Sequence, residues 1–274
     1  MTMTRAGSLS VVDSAQEMKI IKRKPVLELK TPDELKKMRR AGKAVAAALK
    51  ELEAAALPGV STAELDKLAA AVLEKHGALP AFLGYCGYPA VLCVSINQEV
   101  VHGIPDRKRK LREGDIVSFD MGSVIDGYCG DSAITVPVGK VSKEAAELLQ
   151  VTRESLDAAI AAVKPGGFLG DISSAVQSFV EARGMSVVRD FVGHGIGRHL
   201  HEEPPVPNYG KAGTGVKLSP GLTIAIEPMV NLGGYEVKVR DNGWTVETAD
   251  GSLSAHFEHT VAVTEKGCEV LTLL

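Results

Sequence analysis

Two acidic residues close apolar strands in this 274-residue chain: Asp120 ends the run IVSF and Glu227 ends LTIAI. Each strand is followed by a returning segment with a second acid just before an apolar run, Asp131 in one case and Glu258 in the other. Four carboxylates converging from paired strands require a counter-charge, because a buried carboxylate without a partner is costly. A single acid at a strand end usually faces water, but four at corresponding places do not fit that account. The segment FVGHGIGRHLHEEPPVP adds imidazoles. Gly193, Gly195 and Gly197 disfavour a helix and set His194 on extended, closely approached backbone. His201, seven residues on, shares its face only through a bulge or bend; taken alone its ring is as readily solvated as functional, and that of His199 more readily so. Carboxylates with one histidine form a mostly oxygen ligand set suited to two divalent ions such as Mn, Fe or Co, unlike the cysteine shell of structural zinc. Paired ions activate water and clamp a carbonyl, which points to hydrolysis. His102, in SINQEVVHGIPD, reads equally as a loop residue or a catalytic one.

A repeat positions these groups. Thr31, Pro32 and Glu34 fit a capping box opening a helix to about Leu57, stopped by Pro58 and Gly59; Ser61 and Glu64 open a second helix that Gly77 ends. An offset of 107 carries Pro58-Gly59 onto Pro165-Gly166, Leu65 onto Ile172, Leu73 onto Val180, Gly77 onto Gly184, Leu111 onto Leu218, and Asp120 onto Glu227. Each half therefore reads as two helices followed by an antiparallel hairpin, the second hairpin making a longer excursion from Asn231 to Ala255. The expected fold is α+β with pseudo-twofold halves, roughly 30–140 and 141–274, whose helices cover one face of a curved antiparallel sheet and leave the other for a site.

Composition sets the class. Apolar residues make up 45% and charged residues 24%, and no uncharged apolar run is long enough for a membrane span. A net charge of -3 argues against a dedicated nucleic-acid binder. Cys86, Cys93, Cys129 and Cys268 are scattered without a C-x-x-C pair, as for reduced thiols in the cytoplasm. Residues 1–28 read as a polar N-terminal extension without a secretory signal, and 29–274 as the catalytic domain. The basic run Arg107 to Glu113 reads as a solvated hairpin connection, with docking to the ribosome as one use of its charge.

The segments LGYCGYPAVLCVSINQEVVHGIP, GDIVSFDMGSVIDGYCGD, GHGIGRHLHEEP, TIAIEPMV and FEHTVAVT together resemble the type I methionine aminopeptidases of the pitta-bread metallopeptidase family. Only 32 residues separate His194 from Glu227, without the long insertion of a type II enzyme, and the short extension cannot supply the extra domain of prolidase or aminopeptidase P. The resemblance implies the pitta-bread fold and removal of the initiator methionine from nascent polypeptides whose second residue is small. It implies two divalent ions per chain (Co, Mn, Fe(II) or Zn) on Asp120, Asp131, His194, Glu227 and Glu258, with Asp131 and Glu258 bridging and hydroxide between the ions as nucleophile. Glu227 corresponds to the residue assigned proton transfer, His102 to a donor toward the scissile nitrogen, and His201 to the holder of the carbonyl or oxyanion. Phe82, Tyr85, Tyr88, Cys93, Leu200 and Trp244 match positions around the methionine pocket, although Phe82 stands where a smaller residue is common and Leu200 where Phe is frequent. Asn97 and Ser254 resemble contributors to a monovalent-cation site. A monomer is expected, without nucleic-acid or membrane partners. The competing readings are a pitta-bread binding module without catalysis, which would be expected to lose ligands, and an Xaa-Pro peptidase.

Overall fold

Thr31 caps the first helix, α1 (Pro32–Ala55), and the reciprocal bond of the capping box is made by the Glu34 carboxylate, which accepts from Thr31 N at 2.8 Å. Ser61 and Glu64 repeat the arrangement at the start of α2 (Thr62–Lys75). The second half supplies α3 (Lys143–Ala162) and α4 (Leu169–Glu181). These elements belong to a computed structural model that describes residues 27–274; the expected extension over 1–28 lies outside the described residues except for its last two.

The repeat is written in hydrogen bonds as well as in side chains. Gly59 N donates to Leu111 O and Gly166 N to Leu218 O, each at 2.8 Å, and Ser61 bridges Lys110 as Phe168 bridges Lys217. The two glycines turn at φ 91° and 84°, a region that strains any residue with a Cβ. Strand Ile116–Ile125 pairs antiparallel with Tyr128–Pro137, which pairs with Glu258–Thr264; beyond it lie Thr223–Ile226, Gly193–Gly195 and Glu202–Val206. Alternation along these strands separates two faces. Val117, Phe119 and Met121 join the core under α1 and α2, and Ile224, Ile226 and Val261 the core under α3 and α4. Asp120, Asp131 and Glu258 belong to the opposite phase of the alternation and share a single cavity with Glu227, which immediately follows Ile226.

The expectation that all four acids occupy equivalent places holds for one pair only. Phe119 pairs with Ile134, and its repeat mate Ile226 pairs with His259, so the returning strands are related by an offset of 125. That offset carries Ala133, not Asp131, onto Glu258, and carries Asp131 onto His256. Ala133 and Glu258 are themselves direct cross-strand partners, so the pseudo-twofold axis passes between them. Acids at both positions would oppose like charges at the closest cross-strand distance. The first half carries its acid two residues earlier, on the same face.

The basic run also departs from expectation. Arg109 turns inward to donate to buried Glu99 at 2.5 Å, Lys110 pairs with Ser61 and Leu111 is buried, leaving Arg107, Lys108 and Arg112 exposed with Lys110. On the helix side α1 presses onto the sheet so closely that a Cβ on Gly130 would stand 2.5 Å from the backbone nitrogen of Gly42. No flexible side chain can yield there. Gly130→Ala should therefore cost about 2–3 kcal/mol in urea unfolding, and an unchanged midpoint would show that α1 moves off the sheet freely.

Candidate active site

Asp120, Asp131, His194, Glu227 and Glu258 line one cavity of about 200 Å³, together with His102 and His201. Three of them already converge, since ligand atoms of Asp131, His194 and Glu258 lie within 4.8 Å of one another. His194 arrives on strand Gly193–Gly195, whose glycines permit contact no larger residue would allow: a Cβ on Gly193 would sit 2.3 Å from Ala225 O. The anticipated bulge lies between His194 and Gly195, and the following bend returns His201 so that its ring lies 4.2 Å from that of His194, tilted by 49°. A buried ion pair braces that bend from outside, with Lys30 Nζ 2.5 Å from Glu202 Oε2 and Glu202 Oε1 accepting from His199 N. His199 itself is exposed.

His194 Nδ1 donates to its neighbour's carbonyl, Gly195 O, at 2.8 Å, which leaves the Nε2 lone pair facing Glu227 Oε1 at 3.7 Å and Asp131 Oδ2 at 3.9 Å. Burial holds His194 at about 4, aided by His201, so the ring is neutral at pH 7. Burial likewise lifts Asp131 to about 7. Asp120, Glu227 and Glu258 are pushed well above the carboxylate range, by burial first and by one another's charge second. Asp131 Oδ1 and Glu258 Oε1 are buried without a hydrogen-bond partner. Neutral imidazole, crowded carboxylates and orphaned oxygens all fit divalent cations, which would satisfy these atoms and remove the mutual repulsion.

His102 is no bland loop residue. It follows strand Glu99–Val101, takes a left-handed φ of 60°, and sets its ring edge-on to Phe191 at 5.7 Å and Trp244 at 6.3 Å. Burial lowers it to about 4, leaving a neutral ring with one N–H to donate. His201 Nδ1 lies 2.7 Å from the Tyr85 hydroxyl, and the two rings stack. The remaining residues expected around an apolar pocket also line the cavity. Tyr88 and Trp244 meet edge-to-face at 5.1 Å beside Cys93, while Phe82 and Leu200 close on Gly122 from two sides. Burial raises the Cys93 thiol well above its usual value, which makes it an inert packing group. Asn97 and Ser254 are neighbours through Ser254 N and Asn97 O at 2.9 Å, and neither lines the cavity.

Sequence reasoning missed three residues here. Cys86 lines the cavity mouth, Phe191 supports His102, and His256 sits 3.7 Å from Glu227 Oε2. None left a usable signal in the sequence; His256 emerges as the mate of Asp131 only once the strand register is known.

Residues 36–265 match metallopeptidase family M24. A Clostridium acetobutylicum protein named methionine aminopeptidase is 52% identical over 245 residues, covering 89% of this chain and 98% of that one. The Escherichia coli methionine aminopeptidase is 49% identical, over 90% of this chain and 94% of its own. Among solved structures, methionine aminopeptidase from Thermotoga maritima superposes with a TM-score of 0.90 at 50% identity, covering 91% of this chain and all of that one. Prolidase from Pyrococcus furiosus shares the fold at a TM-score of 0.72 and 23% identity, with 90% of this chain against 65% of that one.

The raised carboxylates fix a sign. Their stability contribution is full while they are protonated and is lost as pH rises toward their folded values; the depressed histidines contribute the reverse, complete by 6.5. Above that point the carboxylates act alone, so the Tm of metal-free protein should fall from about pH 6.5 to about pH 8 and flatten when a divalent cation is added. Scanning calorimetry checks this, and a metal-free Tm that rises with pH would contradict the charge crowding.

Proposed function

This chain belongs to metallopeptidase family M24, and from that membership we propose that it removes the N-terminal methionine of polypeptides whose second residue is small. One observation carries the reading: the carboxylate and histidine group opens directly onto an apolar pocket of Tyr88, Cys93 and Trp244 in the same cavity. Such a pocket accepts an unbranched thioether, and sulfur gains from contact with aromatic rings.

Asp120, Asp131, His194, Glu227 and Glu258 would together hold the two divalent ions; the oxygen-rich set accommodates Mn, Fe(II), Co or Zn. When bound, such ions supply Lewis acidity that acidifies water and polarises a carbonyl. The chain's own groups do the rest. Glu227, raised toward its protonated form by burial and neighbouring acids alone, would ionise beside divalent charge; as the carboxylate it takes the proton of the attacking water and returns it to the departing amine. Neutral His102 donates its N–H toward the scissile nitrogen, and His201, oriented by Tyr85, holds the carbonyl oxygen as negative charge grows there. Phe82, Leu200 and the aromatic walls exclude water around the methionine side chain. Nascent chains in the cytoplasm are the natural substrates of a monomer with this chemistry, and the exposed Arg107, Lys108, Lys110 and Arg112 offer charge for docking at the ribosome.

Metal-stripped protein titrated with Mn, anaerobic Fe(II), Co and Zn should release methionine from Met-Gly but not Met-Leu peptides. Release from Ala-Pro peptides alone would instead mark an Xaa-Pro peptidase. Asp131→Asn should abolish turnover in metal-replete buffer. His102→Ala should lower kcat about 10²–10³-fold while metal affinity, read by calorimetry, stays near wild type; parallel loss of metal would make His102 a ligand.

A further inference from the structure

His256 is the most anomalous polar group among the described residues. Its side chain is 1% exposed, and neither ring nitrogen has a hydrogen-bond partner. An unpaired buried donor and acceptor are costly, and an apolar residue of similar size would fill the space without that cost. The backbone leaves no doubt about placement. His256 N donates to Thr135 Oγ1 at 2.8 Å, the same hydroxyl donates back to His256 O at 2.7 Å, and the residue pairs with Met229 across the strands. So held, the ring sets Nε2 3.7 Å from Glu227 Oε2, on the side of that carboxylate away from His194, which faces Oε1. Glu227 is thus flanked by two histidines, one per oxygen. Contacts of this kind are often long in an unloaded site and tighten when it is filled.

Resting on the metal-dependent reading above, we infer that His256 is a positioning residue. In the metal-loaded site its Nε2–H closes on Oε2 of Glu227 from the 3.7 Å seen here and donates to it, which keeps Oε1 on the His194 side and holds the carboxylate in one orientation. The pseudo-twofold relation gives the placement a reason. The mate of Asp131, two residues before Glu258, is His256, which stands behind the cavity lining and reaches Glu227 from there. Donors to a ligating group commonly tune metal affinity 10–100-fold.

The test compares wild type, His256→Leu and His256→Gln in two measurements, calorimetric titration of the metal-stripped proteins with Mn2+ and steady-state hydrolysis of a Met-Gly peptide in saturating Mn2+. His256→Leu should weaken one of two Mn2+ sites about 10–100-fold and leave the other unchanged. It should lower kcat at constant KM, and leave the metal-free Tm equal to or above wild type, because an unpaired polar group has been removed. His256→Gln, which keeps an N–H donor, should recover affinity and kcat to within a few-fold. Wild-type Mn2+ affinity and kcat in His256→Leu would overturn the inference, as would a Leu variant that fails to fold or melts lower, since the role would then be structural. Should wild type bind Mn2+ yet release no methionine, the proposed function fails, while the affinity comparison still decides the role of His256.

Discussion

Four carboxylates share one cavity, and their mutual repulsion is the constraint to which the surrounding structure answers. Burial and like charge push the acids toward protonation, while the same burial strips the histidines of theirs. The result is a site with free lone pairs and a deficit of positive charge, a state that divalent cations resolve. Among the described residues no lysine or arginine lines the cavity. The buried lysine Lys30 is committed to Glu202, where it stiffens the bend bearing Leu200 and His201.

That constraint explains why the sheet is so closely packed on its other face. A site of clustered acids costs stability, and the offset comes from apolar layers under the helices and from glycines that let backbones touch. Gly42 against Leu271, Gly130 against Gly42 and Gly193 against Ala225 are approaches that a single methyl group would block. Rigid contacts of this kind hold ligand atoms in place before any ion arrives, which is what preorganisation requires.

The helices, turns and hairpins were legible because their signals are local. Two capping boxes, glycines at the turns and strand alternation each act within a few residues, and the 107-residue offset tied the halves together. The candidate carboxylates were legible for the same reason, as each borders an apolar run, although the strand runs on past Asp120 to Ile125 and Asp131 lies within its own strand. What could not be read was register across the long excursion between Asn231 and Ala255. The offset changes from 107 to 125 there, so the equivalence drawn between Asp131 and Glu258 slipped by two residues. A slip of two preserves the face, which is why Asp131 and Glu258 still meet in one cavity although the symmetry argument relating them fails. His256 and Phe191 stayed hidden because their roles depend on tertiary neighbours. The inward turn of Arg109 was hidden too, since nothing in a basic run indicates which member meets a buried acid such as Glu99.

The seam between the halves joins residues 125 positions apart, Ala133 and Glu258. Contacts so distant in sequence pay their loop-closure entropy late, after local helices and hairpins have formed. Asp120 and Asp131 come from one half, His194, Glu227 and Glu258 from the other, so neither half folding alone assembles the full donor set. A first half on its own therefore lacks His194, Glu227 and Glu258. The complete cavity exists only once the seam has closed, so its assembly waits on contacts far apart in sequence.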